Sequence, residues 1–353
     1  MAIDLSETLV IGISATALFD LSIADNVFNQ KRQLDPDSAM EEYRRYMLEN
    51  ENVPLADGTG MPLVKAMLAL NNSRKPGDDK PLVEVVVVSR NSPETGYRVL
   101  KEIRQRGLNI SRSAFTAGES VTHYLDAFYV DLFLTTNEDD AQRVIDTNQC
   151  AAAVMYPPPK SVEPYTDTQV RFAFDGDAVI FDDASELINQ TQGLQQFHQS
   201  ENAQQDVPLN PGPHANLLIK LSKIKERLPG RIEYSPIRLA LITARNSPAE
   251  MRVINTLRHW GVYVDEVFFL GGLEKARFLK AFNPHIFFDD QDAHLDPAAT
   301  SVPSARVLYP SHSALRMVMQ MKTLTASETT VKSDVVSAAE EPINKLNNVS
   351  DKK

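Results

Sequence analysis

Apolar residues along this chain gather in short runs separated by stretches that alternate polar and apolar positions at helical spacing, a pattern clearest between residues 170 and 290. Val170 to Phe174 is a short segment rich in β-formers, and Ile237 to Thr243 is a continuous apolar run long enough for a buried strand. Ser247-Pro248-Ala249-Glu250 reads as a helix start, with serine as N-cap, proline at the first helical position and glutamate where a capping box places it. Val253, Ile254 and Leu257 share one face of the helix that follows, and Gly261 stands at its end. A strand at Val267 to Leu270, a helix from about Leu273 to Phe282 and a strand at His285 to Phe288 complete the series. Such alternation predicts an α/β fold, a doubly wound parallel sheet covered by helices on both faces, with ligands bound at the carboxyl ends of the strands.

The series occurs twice. Arg90-Asn91-Ser92-Pro93 returns as Arg245-Asn246-Ser247-Pro248, 155 positions on. After a one-residue deletion the register continues at 154, pairing Arg98 with Arg252, Val99 with Val253, Arg104 with Arg258, Gly107 with Gly261, Phe115 with Phe269 and Phe133 with Phe287. Upstream, Phe19-Asp20 falls on Phe174-Asp175. Two Rossmann-like halves from an internal duplication are therefore expected, at residues 1–165 and 166–324. The stretch from about 185 to 226 is polar and helix-prone and holds Pro208, Pro211, Gly212 and Pro213, so it reads as a small cap insertion over the active edge of the second half. Residues 325–353 are rich in Ser, Thr, Lys, Glu and Asp and are expected to be a disordered polar tail.

Composition narrows the function classes. The 353 residues, 42% hydrophobic, have room for about two domains. With 47 acidic against 36 basic residues the net charge is −11, which argues against a nonspecific grip on nucleic acid and leaves small phosphorylated ligands open. The single cysteine, Cys150, excludes an internal disulfide and a thiolate metal site, which fits a reducing compartment. The amino terminus carries Asp4 and Glu7 where a secretion signal carries positive charge, and no apolar run approaches the ~18 residues of a membrane span. A cytoplasmic location is expected.

The candidate chemistry lies in the second half, at strand ends or the helix starts after them: Asp175-Gly176-Asp177, Thr243, Lys275 and Asp289-Asp290. Phosphoryl transfer needs a nucleophile, a cation and fixed donors. Asp175 is the candidate nucleophile and Asp177 the candidate acid/base. Asp175, Asp177 through its carbonyl, and one or both of Asp289 and Asp290 supply the oxygens that Mg²⁺ requires. The Thr243 hydroxyl, the backbone amide of Ala244 and the Lys275 ammonium would hold phosphate oxygens. Asn91 and Arg245, beside the two strand ends, are candidates for substrate contact, though either could equally cap its neighbouring helix. Taken singly each feature has a plainer reading: a glycine turn at 175–177, a capping threonine, a solvated lysine.

The repeat weighs these readings together. Opposite Asp177, Thr243, Lys275, Asp289 and Asp290 the first half has Ser22, Val88 or Ser89, Val121, Thr135 and Thr136; only Asp20 matches its counterpart, Asp175. One half thus keeps the scaffold while lacking the reactive groups as a set, as expected when one copy of a catalytic unit turns structural or substrate-binding. A phosphorylation-dependent signalling receiver also joins acids, a threonine and a lysine, but its acidic pair precedes the phosphorylated aspartate. A nucleotide-binding regulator without activity would not need the full second-half set.

The order Asp-x-Asp, Thr, Lys, Asp-Asp resembles the four motifs of haloacid dehalogenase-like phosphatases. Arg171-Phe-Ala-Phe-Asp-Gly-Asp-Ala-Val179, Ile242-Thr-Ala-Arg245, Arg258-His-Trp-Gly261 and Pro284-His-Ile-Phe-Phe-Asp-Asp-Gln291 are similar to the cytosolic 5′-nucleotidase I family. The likeness reaches Ala17-Leu-Phe-Asp20 and Tyr43 to Glu49, and covers Leu9 to about Tyr309. It implies a Mg²⁺-dependent 5′-nucleotidase acting on nucleoside monophosphates, AMP favoured, through an aspartyl-phosphate, in a homo-oligomer. On chemistry alone a sugar-phosphate phosphatase remains open.

Overall fold

A computed structural model describes residues 5–165, 167–228 and 235–322, so the tail expected at 325–353 lies outside the described residues. The strands are β1 (Leu9–Ile13), β2 (Phe19–Asp20), β3 (Ala56–Asp57), β4 (Val83–Ser89), β5 (Arg112–Phe115), β6 (Leu132–Thr135), β7 (Ala151–Met155), β8 (Val170–Phe174), β9 (Ile237–Thr243), β10 (Glu266–Phe269), β11 (Ile286–Asp289) and β12 (Ser304–Arg306). The helices before β8 are α1 (Ala15–Leu18), α2 (Ser22–Leu34), α3 (Ala39–Glu49), α4 (Met61–Ala69), α5 (Pro93–Gln105), α6 (Thr122–Ala127) and α7 (Glu138–Thr147). Those after it are α8 (Ala184–Gln192), α9 (Leu194–Ala203), α10 (Ala215–Arg227), α11 (Glu250–Trp260), α12 (Lys275–Phe282) and α13 (Asp292–Ala298). The α/β reading holds, and β8 and β9 begin and end where the apolar pattern places them.

Among the described residues ten strands form one sheet in the order β10-β9-β8-β11-β12-β7-β6-β1-β4-β5, and β2 pairs with β3 in a separate ribbon. Every neighbouring pair in the large sheet is parallel except β12 and β7. The strands alternate their side chains between two packed faces, as a parallel sheet requires. On one face Ile11, Val85, Leu134, Phe172, Leu239 and Phe288 join a core that runs unbroken across both halves. On the other face Val10, Val86 and Phe133 pack with Leu125 and Val144, while Ala173, Ile242 and Phe287 form a separate cluster with Leu279 and Leu295.

The antiparallel seam between β7 and β12 reverses the direction of the strands. Consequently β1, β4 and β6 run against β8, β9 and β11, and the register brings their carboxyl ends to one level, Asp289 pairing with Arg306, Arg306 with Val154 and Val154 with Thr135. Asn91, just past β4, is six steps along the strand order from β8, roughly 29 Å at ~4.8 Å per strand. Asn91 therefore does not reach the neighbourhood of Asp175 within one chain.

Two local expectations need correction. The Ser247–Pro248 peptide is cis, and the chain turns through Asn246–Ala249, with the Ala249 N–H donating to the Asn246 carbonyl at 2.8 Å. Helix α11 accordingly begins at Glu250 with Ala249 as N-cap, and Ser247 does not cap it. In the first half the same tetrapeptide does cap, with Ser92 Oγ accepting from the Thr95 amide at 3.2 Å and Pro93 opening α5. The second correction concerns Asp20. The Ser14 amide donates to the Leu134 carbonyl at 2.9 Å just as the Asp175 amide donates to Phe288 at 2.8 Å, so Ser14, the residue after β1, is the topological counterpart of Asp175. Asp20 lies beyond α1 in the β2–β3 ribbon, exposed, where Oδ1 accepts from the Ser22 amide at 2.9 Å.

Helix α10, expected within the cap insertion, instead buries Leu217, Leu218, Leu221 and Ile224 in the continuous core. His214 at its N-terminus is fully buried, its ring centroid 4.8 Å from that of Phe288, and neither ring nitrogen has a hydrogen-bond partner among the described residues. Burial pushes its pKa down to about 3. Below the ordinary value near 6.5 the unfolded chain takes up a proton that folded His214 refuses, so this residue costs stability increasingly as pH falls from there towards 3. His214→Phe should therefore gain on the parent chain by about 1 kcal/mol per pH unit between pH 6 and pH 4 in urea denaturation; parallel pH curves would show that the ring is not neutral and dry.

Candidate functional site

At the carboxyl ends of β8, β9 and β11 the chain brings together most of the groups singled out from sequence. Asp175 follows β8, and the next residues make a tight turn closed by the Phe181 N–H on the Gly176 carbonyl at 2.9 Å, with Ala178 at φ 60°. A Cβ on Gly176 would lie 3.3 Å from Thr243 Oγ1, so any side chain here would crowd the threonine. Thr243, buried at the end of β9, accepts the Arg245 amide on its hydroxyl at 3.2 Å, and Ala244 between them is exposed. Lys275 opens α12 and is buried, with Nζ 2.8 Å from Asp175 Oδ1 and 2.6 Å from Asp289 Oδ2.

The acidic pair is divided by its neighbours. Asp289 is fully buried and also accepts the Gln291 amide at 2.9 Å, while His294 Nδ1 lies 3.2 Å from its Oδ2. Asp290 accepts the Tyr309 hydroxyl on Oδ2, and its buried Oδ1 has no hydrogen-bond partner among the described residues. Burial pushes the Asp175 carboxyl up to about 7, with Lys275 pulling it down and Asp289 pushing it further up. Asp290 is driven well above the carboxylate range by burial and then by Asp289 and Asp175. Asp289 stays below that range because Lys275 and His294 outweigh its own burial. Lys275, despite burial, is held charged by the two carboxylates it bridges.

These residues fit a hard divalent cation. Ligand atoms of Asp175, Asp289 and His294 lie within 4.8 Å of one another, and the orphaned Asp290 oxygen is a buried acceptor left without a donor, the condition a metal ion relieves. The oxygen-rich donor set suits Mg²⁺ better than a softer metal.

Arg245 is not free to meet a substrate. Its Nε and Nη2 hold the two Asp177 oxygens at 2.8 and 2.6 Å, and Nη1 pairs with Glu201. Asn91 hydrogen-bonds Tyr43 and Ser89 past the end of β4, six strands along the sheet from β8. Sequence reasoning missed Glu201, His294 and Tyr309. His294 stands four residues after Asp290 as the third residue of α13, a closeness in sequence that was open to notice. Glu201 sits in the polar run Leu194–Ala203, where no local pattern marks it as buried. Tyr309 follows the last strand and touches the acidic pair only through the fold.

An open α/β sheet thus carries a lysine-bridged carboxylate centre at its strand ends, where the strand order reverses between β8 and β11. The 5′-nucleotidase family profile matches residues 1–314, and the chain belongs to that family. Human cytosolic 5′-nucleotidase 1B is 34% identical over 295 residues, which are 82% of this chain and 47% of that relative. The chain thus spans about half the length of the curated relative it matches. No solved structure matches, and no described helix is long and apolar enough to cross a membrane.

Removing Lys275 leaves buried carboxylates without their cation, a loss of about 3–5 kcal/mol for breaking a buried pair. Lys275→Met should show that loss in urea denaturation with a chelator present, and Mg²⁺ in excess should return part of it by binding the folded form. Equal stability of the variant and the parent under chelation would contradict the bridging geometry.

Proposed function

We propose that this protein is a cytoplasmic, Mg²⁺-dependent phosphatase that hydrolyses nucleoside 5′-monophosphates, AMP among them, through a phosphorylated Asp175. The observation that carries the reading is the convergence of Asp175, Asp177, Thr243, Lys275, Asp289 and Asp290 on one edge of the second half, with Lys275 bridging two of the carboxylates. Family membership and the cytosolic 5′-nucleotidase relative support the reaction class.

Thr243 Oγ1, the Ala244 amide and Lys275 Nζ orient the phosphate for attack by an Asp175 oxygen on phosphorus. The bond to the ribose 5′-oxygen breaks as Asp177 gives that oxygen a proton, and the nucleoside leaves. A water then attacks the aspartyl-phosphate, Asp177 takes the water's proton, and phosphate departs with Asp175 restored. A divalent cation held by Asp175, Asp290 and the Asp177 carbonyl, with Asp289 beside it, would neutralise phosphate charge during both steps.

The nucleoside would lie in the cavity of about 510 Å³ beside Asp290, lined by Gln142, Arg306, Tyr309, Arg316 and Met319. That volume is within the ~300–1,000 Å³ usual for small-ligand sites. We read the two halves as copies of one haloacid dehalogenase-like unit, because β5-β4-β1-β6-β7 repeats the order of β10-β9-β8-β11-β12. In each copy a helix pair follows the first strand of the unit, α2–α3 in one and α8–α9 in the other. On this reading the cap over the site is α8–α9, narrower than residues 185–226, since α10 belongs to the core.

Asp175→Asn should lower Mg²⁺-dependent phosphate release from AMP by at least about a thousandfold with the circular dichroism spectrum unchanged; turnover at the parent rate would end the proposal. Arg316→Met should raise KM for AMP about tenfold while leaving p-nitrophenyl phosphate hydrolysis unaltered. Equal losses on both substrates would move the nucleoside elsewhere, and sugar phosphates turned over faster than AMP would replace the substrate class.

A further inference from the structure

The end of β9 carries a network that the chemistry above does not use. Arg245, 3% exposed, grips both oxygens of Asp177, and its remaining amino group pairs with Glu201. Glu201 is fully buried on α9, where its Oε1 also accepts from Ser185 Oγ at 2.9 Å and Arg252 Nη1 at 2.8 Å. Arg252 in turn donates to the Val207 carbonyl at 2.9 Å, and the Phe197 ring lies 5.2 Å from the Arg245 guanidinium. Two arginines and Glu201 are thus withdrawn from water together, with Asp177 half-buried beside them. Apolar residues of similar size would often stabilise such a place as well or better, so stability alone is a weak account of it. A guanidinium fork, by contrast, fixes the plane of the carboxylate it holds.

The first half separates the two arginines. There the residue two past Ser14 is Thr16, without the charge of Asp177. The Ala117 amide meets the Asn91 carbonyl as the Gly271 amide meets that of Arg245, so Asn91 stands where Arg245 does. Arg98, the counterpart of Arg252, is kept; it donates to the Val53 carbonyl at 3.0 Å and lies 3.8 Å from the Met47 sulfur, with no glutamate in the network. The Arg252-type arm therefore serves the fold in both halves, whereas Arg245 and Glu201 occur only where Asp177 does.

We propose that Glu201 and Arg245 are positioning residues: helix α9, through this relay, sets the direction in which the Asp177 carboxyl points. The proposal rests on Asp177 being the acid/base of the reaction. Glu201 touches neither phosphate nor any reacting atom, so its whole effect passes through Arg245 and Asp177.

The test compares Glu201→Gln, Asp177→Asn and the double variant in single-turnover phosphate release from AMP, enzyme in excess, alongside steady-state kcat and KM and a melting curve. Misplaced by a fraction of an ångström, the acid/base should leave E201Q with kcat down about tenfold and KM within about twofold of the parent. In the D177N background the same change should cost nothing further, because the group it positions is already gone. Should E201Q not fold, Arg245→Lys provides the same comparison, keeping the charge but not the fork. An unchanged kcat in both E201Q and R245K, or losses that multiply with D177N, would overturn the relay. D177N turning over at the parent rate would instead refute the acid/base reading on which it rests.

Discussion

The site depends on one ammonium group. Lys275 is buried, and its Nζ touches carboxylates from the ends of β8 and β11 at once. Three buried aspartates close together repel one another strongly, and each alone would be neutralised by protonation. A single buried cation between two of them lets Asp289 stay ionised while Asp175 and Asp290 are left at raised values. That bridge keeps one carboxylate charged beside two whose charge burial opposes, and it ties α12 to the sheet edge by the same contacts.

The sheet decides what can join that site. Because the seam between β7 and β12 is antiparallel, the strands of the two halves run against each other, and the hydroxyl-bearing residues Ser14, Ser89, Thr135 and Thr136 of the first half lie at strand ends at least three strands along the sheet from β11. Their place in the fold is that of the reactive set, yet none carries a charge that could hold a divalent ion. What the first half contributes near the second half's chemistry comes instead from α7, whose Gln142 donates to the Tyr309 carbonyl at 3.0 Å and whose Glu138 pairs with Arg306 at 2.8 Å.

Sequence reading succeeded where the signal was local. β8 and β9 are apolar because both of their faces are covered, and their limits were visible for that reason. Asp175, Thr243, Lys275 and the acidic pair were legible because each ends or follows a strand or opens a helix. Asp20 was matched to Asp175 through a shared Phe-Asp, while the strand pairing shows that β1 had already ended at Ile13. The seam, the burial of Glu201 and the reach of Tyr309 to Asp290 depend on contacts between residues far apart in the chain, for which no periodicity exists. Arg245 was noticed for its repeat and misjudged in its partner, since its side chain turns back to the Gly176 turn instead of outward.

The most direct test is to quench the protein with acid milliseconds after mixing it with Mg²⁺ and AMP labelled in its phosphate, and to map the label by peptide mass spectrometry. The account predicts acid-stable, hydroxylamine-sensitive label on the peptide that holds Asp175, formed and lost at rates consistent with turnover. Phosphate released at full rate with no label on that aspartate would contradict it.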